Sequence, residues 1–177
     1  IHDIQTYKGF STHLVLGVTG SGKTEVYLQL LEKTLQQGQY GLMLVPEISL
    51  TPQLINRFSS RFGDKVAVIH SQLTDRERTN QWWDVIEGRK KILIGARSAL
   101  FCPLSNLGLI IVDEEHEPSF KQDEKLKYHG RDTAIMLGKF LNCPVILGSA
   151  TPSFESWNNV LQKKYQLKNL KILFQSK

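Results

Sequence analysis

The sequence predicts an α/β domain in which a mostly parallel sheet carries helices on both faces. Short apolar runs alternate with longer segments of helical periodicity along the 177 residues. Several of the apolar runs consist almost entirely of Val, Ile and Leu, as expected of strands that are covered on both faces. One run leads into a glycine-rich loop and then into helix-favouring residues. In such a sheet, ligands bind beyond the carboxyl ends of the strands.

Each element is marked by its own sequence signal. Apolar runs predict strands at 14–17, 41–45, 66–70, 92–95, 109–113 and 144–148. Helical periodicity predicts helices at 23–37, 51–62, 75–88, 131–141 and 153–162. The Thr-Pro pairs at 51–52 and 151–152 are predicted helix entries, because proline is tolerated in the first turn. Trp83 is predicted to pack on the sheet together with Val85 or Ile86.

Composition and charge limit the classes of function. A hydrophobic content of 41% suits one globular domain with a sizeable core. The formal net charge of +5 is compatible with an anionic partner or with a solvated, lysine-rich surface. Two cysteines without a C-x-x-C pair or a histidine cluster predict no zinc site and no disulfide scaffold, and favour the cytoplasm. No apolar run is long enough to predict a membrane span, and the start at Ile1 instead of Met predicts a piece of a longer protein.

A complete phosphate-binding motif lies near the start of the chain. Residues 17–24 (GVTGSGKT) match G-x-x-x-x-G-K-[ST], with a strand before the motif and a helix after it. The glycines let the loop turn its backbone N–H groups toward an anion at the helix N-terminus. Lys23 is predicted to reach the β- and γ-phosphates, and the Thr24 hydroxyl to hold Mg²⁺. The residues predicted to bind the nucleotide here are Gly17, Val18, Thr19, Gly20, Ser21, Gly22, Lys23, Thr24 and Glu25.

A second motif, DEEH (113–116), follows an apolar strand. Burying three carboxylates together is costly, so this cluster is expected at the exposed carboxyl end of the strand. Asp113 is predicted to hold Mg²⁺, directly or through water, and Glu114 to orient or deprotonate the attacking water. The predicted catalytic residues are therefore Lys23, Asp113 and Glu114. His116 is predicted either to link the phosphate state to another segment or to form a surface ion pair.

Further segments make the resemblance to a family specific. These are GVTGSGKTEVY (17–27), VPEISLTPQ (45–53), GARSALF (95–101), LGLIIVDEEH (107–116), YHGRD (128–132) and LGSATP (147–152). In this order they resemble the bacterial primosomal replication-restart DNA helicases of superfamily 2, over nearly the whole chain. The resemblance implies a RecA-like P-loop NTPase domain, the first motor lobe of an ATP-dependent 3′-to-5′ helicase. It also implies action at stalled or branched replication forks.

The resemblance further implies the organisation and the partners of the parent protein. Residues 1–165 are expected to form the motor lobe, and residues 166–177 to lead toward a second lobe outside this chain. The implied cofactors are ATP and Mg²⁺, with zinc bound only in another part of the parent. The implied partners are single-stranded and forked DNA, single-strand-binding protein and other primosome proteins, in the bacterial cytoplasm and without a membrane.

By position, the resemblance assigns two further groups of residues. The residues expected to couple hydrolysis to strand movement are His116, Ser149 and Thr151. The expected DNA contacts are Pro46, Glu47, Thr51, Arg97, Ser98, Phe120, Lys121, Lys127, Tyr128 and Arg131. The chemistry of the loop at 120–131 supports this independently, because aromatic rings stack on unpaired bases and basic side chains meet phosphates. The alternative is a solvated charged loop with two packing aromatics.

Other functions remain to be compared with this one. The sequence contains neither the N-K-x-D motif of a GTPase nor the L-S-G-G-Q motif of a transporter ATPase. Two alternatives are a lobe of another superfamily 2 DNA translocase and a non-hydrolysing platform that binds DNA or replication proteins. Because the second lobe is expected to supply arginines to the γ-phosphate, the isolated chain is expected to bind Mg·ATP weakly, to hydrolyse it slowly at best and not to unwind DNA.

Overall fold

The computed structural model describes residues 9–124 and 126–170. The strands are β1 (Thr12–Leu16), β2 (Tyr40–Leu44), β3 (Val66–Ile69), β4 (Ile92–Gly95), β5 (Leu107–Val112), β6 (Lys121–Gln122), β7 (Tyr128–His129), β8 (Val145–Ser149) and β9 (Gln166–Asn169). The helices are α1 (Lys23–Gln36), α2 (Pro52–Phe62), α3 (Asp75–Ile86), α4 (Gly130–Leu141) and α5 (Phe154–Leu161). Short 3₁₀ segments lie at Glu47–Ser49, Gly63–Lys65, Arg97–Phe101 and Pro118–Phe120.

Seven of the strands form one parallel sheet in the order β3-β4-β2-β5-β8-β1-β9, while β6 and β7 form a small antiparallel hairpin. From β1 to β3 the chain crosses the sheet in one direction, and it crosses back from β3 through β8 to β9. With right-handed crossovers, this reversal places α1 and α2 on one face and α3, α4 and α5 on the other. The predicted α/β architecture is confirmed.

Strand β2 illustrates why the apolar runs are continuous. Leu42 and Leu44 belong to the core under α3 and α4, whereas Met43 belongs to the core under α1 and α2. Successive side chains of a strand point to opposite faces, so a strand covered on both faces needs apolar residues at every position. All six predicted strands are present for this reason, with bounds that agree with the prediction to within two residues.

The helix entries follow from local capping. Thr51 caps α2, since its Oγ1 accepts the Leu54 N–H at 3.3 Å, and proline is the first helical residue, as predicted. The predicted entry at 151–152 is wrong, because α5 begins at Phe154. Ser153 is the N-cap there, and its hydroxyl accepts the Ser156 N–H at 3.2 Å. A serine at this position can satisfy the first turn without the preceding Thr-Pro pair.

Helix α3 packs on the sheet through a different face from the one predicted. Val85 is buried in the core and Trp82 packs against it, whereas Trp83 is 53% exposed and Ile86 43% exposed. The prediction for Trp83 is therefore wrong. Residues three positions apart share a helix face, so burial of Val85 brings Trp82 to the sheet and turns Trp83 toward solvent.

Strand β9 extends the sheet beyond the boundary expected at residue 165. It pairs in parallel with β1, and the sequence QLKN offers no apolar run that signals a strand. Of the expected exit segment, residues 171–177 lie outside the described residues. In the part of the chain that the structure describes, no helix is long and apolar enough to cross a membrane.

Candidate nucleotide-binding site

The phosphate-binding motif forms an open turn between β1 and α1. Gly20 and Gly22 have φ angles of +80° and +92°, in the left-handed region that glycine adopts without a steric penalty. Gly22 is the N-cap of α1 and offers no side chain to the N–H groups of the first turn. The Ser21 hydroxyl is buried and has no hydrogen-bond partner among the described residues. These unpaired donors suit an anion at the N-terminus of α1.

Lys23 joins this turn to the DEEH motif at the end of β5. Its side chain is 8% exposed, and its Nζ donates to the Gly17 carbonyl at 2.7 Å. The same Nζ lies 3.4 Å from Glu114 Oε1. Glu114 has a φ of +47°, a conformation that costs a non-glycine residue energy and is often found at functional sites. The structure thus brings two of the predicted catalytic residues, far apart in sequence, into contact.

The third predicted catalytic residue, Asp113, lies beneath them. Its Oδ1 accepts a hydrogen bond of 2.8 Å from the hydroxyl of Tyr27, which is fully buried on α1. Burial raises the pKa of Asp113, although the Tyr27 hydrogen bond acts in the opposite direction. Burial and the neighbouring Asp113 carboxylate raise the pKa of Tyr27 well above its usual value, so the phenol stays protonated and donates.

His116 connects the end of β5 to the end of β8. Its Nδ1 lies 2.8 Å from Ser149 Oγ, and its Nε2 lies 3.3 Å from Thr151 Oγ1. The Thr151 N–H donates to Ser149 Oγ at 3.0 Å, which closes the cluster. His116 Nδ1 is also 3.7 Å from Glu114 Oε2. The three residues expected to couple hydrolysis to movement therefore lie together, next to one of the expected catalytic acids.

Glu115, to which the sequence assigned no role, is fully buried. It accepts hydrogen bonds from Arg131 Nη1 at 3.0 Å, from the Ser153 N–H at 2.8 Å and from the Ser156 hydroxyl at 2.8 Å. Arg131 is only 6% exposed and also pairs with Asp132. The predicted contact of Arg131 with DNA phosphates is therefore wrong, because its guanidinium is enclosed by this network. The third acid of the DEEH motif was the available sequence signal for this network, because a buried carboxylate needs a cation beside it.

Comparison with known proteins identifies the family. Residues 4–160 match the model of the DEAD/DEAH box helicases. The chain belongs to this family. It is 54% identical to replication restart protein PriA of Chlamydia pneumoniae, in an alignment of 162 residues that covers 91% of this chain and 22% of the relative. It is 50% identical to replication restart protein PriA of Bacillus subtilis, in an alignment of 169 residues that covers 96% of this chain and 21% of the relative.

The resemblance to the primosomal replication-restart helicases is thereby confirmed, and the chain spans about a fifth of the length of these curated relatives. Solved structures confirm the RecA-like helicase fold. RecG bound to a three-way DNA junction aligns with a TM-score of 0.64 and 20% identity, over 94% of this chain and 21% of that one. A hypothetical ATP-dependent RNA helicase of Sulfolobus tokodaii aligns with a TM-score of 0.64 and 21% identity, over 92% and 48%.

The residues that the helicase resemblance assigned to DNA lie around a second feature, a cleft of about 650 Å³ beyond the ends of β2, β3 and β4. Six of them line it, and these are Pro46, Glu47, Arg97, Ser98, Phe120 and Tyr128. Glu47 accepts the Ser71 N–H at 2.8 Å, a bond that lowers the pKa of this carboxyl. Arg97 Nη1 donates to the carbonyls of Ser119 and Lys121, at 2.7 and 2.8 Å, and so holds the β6–β7 hairpin against the cleft.

The two aromatic residues of the loop have different environments. Phe120 is 1% exposed and belongs to the hydrophobic core, so its predicted stacking on DNA bases is wrong. Tyr128 is half-buried and meets the exposed ring of Phe101 edge-on, with 5.3 Å between the ring centres. Lys121 and Lys127 are exposed. Thr51 remains at the surface but its hydroxyl caps α2.

Proposed function

We propose that this chain is the ATP-binding motor lobe of a 3′-to-5′ DNA helicase that acts at stalled or branched replication forks. The observation that carries the proposal is the convergence of Lys23, Asp113 and Glu114 at one edge of the parallel sheet. The proposed substrate is supported by the relatives, which are named replication restart proteins and are 46–55% identical to this chain. The expected setting is replication restart in the bacterial cytoplasm.

The residues at this edge fit Mg·ATP. The unpartnered Ser21 hydroxyl and the uncapped first turn of α1 suit phosphate oxygens. The Thr24 hydroxyl and the Asp113 carboxylate are hard oxygen ligands, which Mg²⁺ prefers. When bound, the metal ion would neutralise charge on the phosphates. Lys23 would contribute its positive charge to the same phosphates, and Glu114 would accept the proton of the attacking water.

A second part of the same edge of the sheet supports the DNA part of the proposal. The cleft beyond β2, β3 and β4 places Arg97, Ser98 and Tyr128 on one surface, close to the exposed Lys121. His116, Ser149 and Thr151 lie nearer the nucleotide edge and would transmit the phosphate state. In the longer parent, the partners would be single-stranded and forked DNA, single-strand-binding protein and other primosome proteins.

The isolated lobe should be a poor enzyme. ATP is expected to bind between two lobes, and an arginine supplied by a second element is worth about 10³ to 10⁵ in rate in related enzymes. We therefore expect this chain to bind Mg·ATP weakly, to hydrolyse it slowly at best and not to unwind DNA.

Strand displacement by the longer parent tests the function directly. The parent should unwind a forked duplex from a 3′ single-stranded tail, and both Lys23→Ala and Glu114→Gln should abolish unwinding. Glu32→Gln, at an exposed acid of α1 that pairs with Arg61, is the matched control and should unwind normally. Unwinding only from a 5′ tail, or unwinding that survives both substitutions, would contradict the proposal.

A further inference from the structure

Tyr27 lies where the helix after the P-loop meets the metal-binding acid. It follows Lys23 by four residues on α1, so the two side chains lie on the same helix face, one turn apart. Lys23 points to Glu114, and Tyr27 donates to Asp113 at 2.8 Å. One face of α1 thus contacts both acids expected to act on Mg·ATP.

The opposite wall of this contact is Gly148 on β8. A Cβ placed on Gly148 would lie 1.7 Å from the Tyr27 hydroxyl oxygen and 3.1 Å from Asp113 Oδ1. No other residue fits there while the hydroxyl and the carboxylate keep their positions. Helix α1, the end of β5 and strand β8 therefore all accommodate the hydrogen bond between Tyr27 and Asp113. Packing alone does not require the hydroxyl, because a phenylalanine at position 27 would fill the same apolar space.

An ionised carboxylate only accepts hydrogen bonds, and a protonated phenol has one proton to donate. The hydrogen bond therefore fixes the direction of the Asp113 carboxylate relative to α1. Hydrogen bonds of this kind, from groups that do not touch the metal, orient metal ligands in many proteins. Without the hydroxyl, the buried carboxylate would keep its place in the chain but lose this restraint on its rotation.

We propose that Tyr27 is a positioning residue for magnesium: its hydroxyl holds the Asp113 carboxylate in the orientation in which it receives the Mg²⁺ of bound ATP. The inference rests on the proposed function and extends it to a residue outside the metal and phosphate contacts. It predicts that removal of the hydroxyl weakens the response to Mg²⁺ while leaving the binding of metal-free ATP intact.

The test is calorimetric titration of ATP into this chain, first in EDTA and then at increasing MgCl₂. Tyr27→Phe should bind ATP in EDTA like the wild type, but should need about tenfold more Mg²⁺ for half of the Mg²⁺-induced change in affinity. Tyr40→Phe, which removes the hydroxyl of another buried tyrosine, should respond like the wild type. In the background of Asp113→Asn, adding Tyr27→Phe should have no further effect on the response to Mg²⁺.

Two results would overturn the inference while leaving the nucleotide site in place. One is that Tyr27→Phe and the wild type need Mg²⁺ concentrations within about twofold of each other for half of the change in affinity. Loss of a contact that orients a metal ligand typically has a much larger effect. The other is an equal loss of ATP affinity with and without Mg²⁺, which would make the hydroxyl a support of the loop. Absence of saturable ATP binding by the wild type, with Lys23→Ala indistinguishable, would instead overturn the nucleotide site and the inference together.

Discussion

Glu114 and Glu115 are adjacent at the end of β5 and have opposite environments. Glu114 has a side chain 29% exposed, a backbone in the left-handed region and Lys23 as its ion-pair partner at 3.4 Å. Glu115 is fully buried, and its carboxylate receives hydrogen bonds from Arg131, Ser153 and Ser156. One acid is held in a strained and incompletely bonded state, whereas its neighbour is saturated with partners.

The two adjacent acids therefore differ in what their charges do. A saturated buried pair fixes the relative positions of β5, α4 and α5, because each of these elements contributes a group to it. The strained acid depends on that fixed frame, since unfavourable backbone conformations persist only where the surroundings impose them. Glu115 therefore has a structural role in the DEEH motif, whereas Glu114 keeps the geometry expected of its proposed role in hydrolysis.

The largest expected effect comes from removing the cation of the buried pair. Arg131→Met should lower the free energy of unfolding by about 3–5 kcal/mol, because Glu115 is left buried without its counter-charge. Chemical denaturation monitored by circular dichroism measures this change. Adding Glu115→Gln to the same variant should recover part of the loss.

The exposed ion pair of Arg61 with Glu32 provides the control, and Arg61→Met should have no measurable effect on unfolding. If Arg131→Met were as mild as Arg61→Met, the network around Glu115 would not be a structural anchor.

His13 is a third buried ionisable group, and unlike Glu115 it lies near a charge, that of Lys168, which disfavours its own charged form. Burial and the nearby Lys168 lower the pKa of His13 to about 4, from 6.5. Above pH 6.5 the side chain is neutral in both states. As the pH falls from 6.5 to 4, only the unfolded chain takes up the proton. The free energy of unfolding should therefore decrease over this range, by about 3 kcal/mol in all.

Urea denaturation between pH 7.5 and 4.5 measures this loss as a difference between the wild type and His13→Gln. The variant should lose less stability toward acid, since the carboxylates titrate alike in both proteins. Parallel pH profiles would show that His13 takes up its proton in the folded state as readily as in the unfolded one.

A smaller effect is expected from the backbone at Glu114. Both Glu114→Ala and Glu114→Gly lose the ion pair with Lys23, but glycine adopts a φ of +47° without strain. Glu114→Gly should therefore have a free energy of unfolding about 1 kcal/mol higher than that of Glu114→Ala. At Glu117, with an ordinary φ of −63°, the glycine variant should be less stable than the alanine variant. Thermal unfolding compares the two pairs, and a glycine variant that is less stable than alanine at both positions would argue against stored strain at Glu114.

The sequence predicted those parts of the molecule that depend on local pattern. The strands of the sheet are covered on both faces and therefore carry unbroken apolar runs. The P-loop and DEEH motifs are each contiguous in sequence, and each follows a strand, so the parallel sheet brings the two motifs together at one edge. The Glu115 network escaped prediction because its partners lie 16 to 41 residues away. Strand β9 lacks an apolar run, and the burial of Phe120 depends on how the loop folds back on the core.

The edge formed by β1, β5 and β8 is the proposed site for Mg·ATP. Calorimetric titration of Mg·ATP into this chain and into Lys23→Ala tests this site. Weak, saturable binding to the wild type is expected and none to the variant, whose thermal unfolding should confirm that it is folded. Equal affinities in the two proteins, or no binding to either, would contradict a nucleotide site assembled within this lobe.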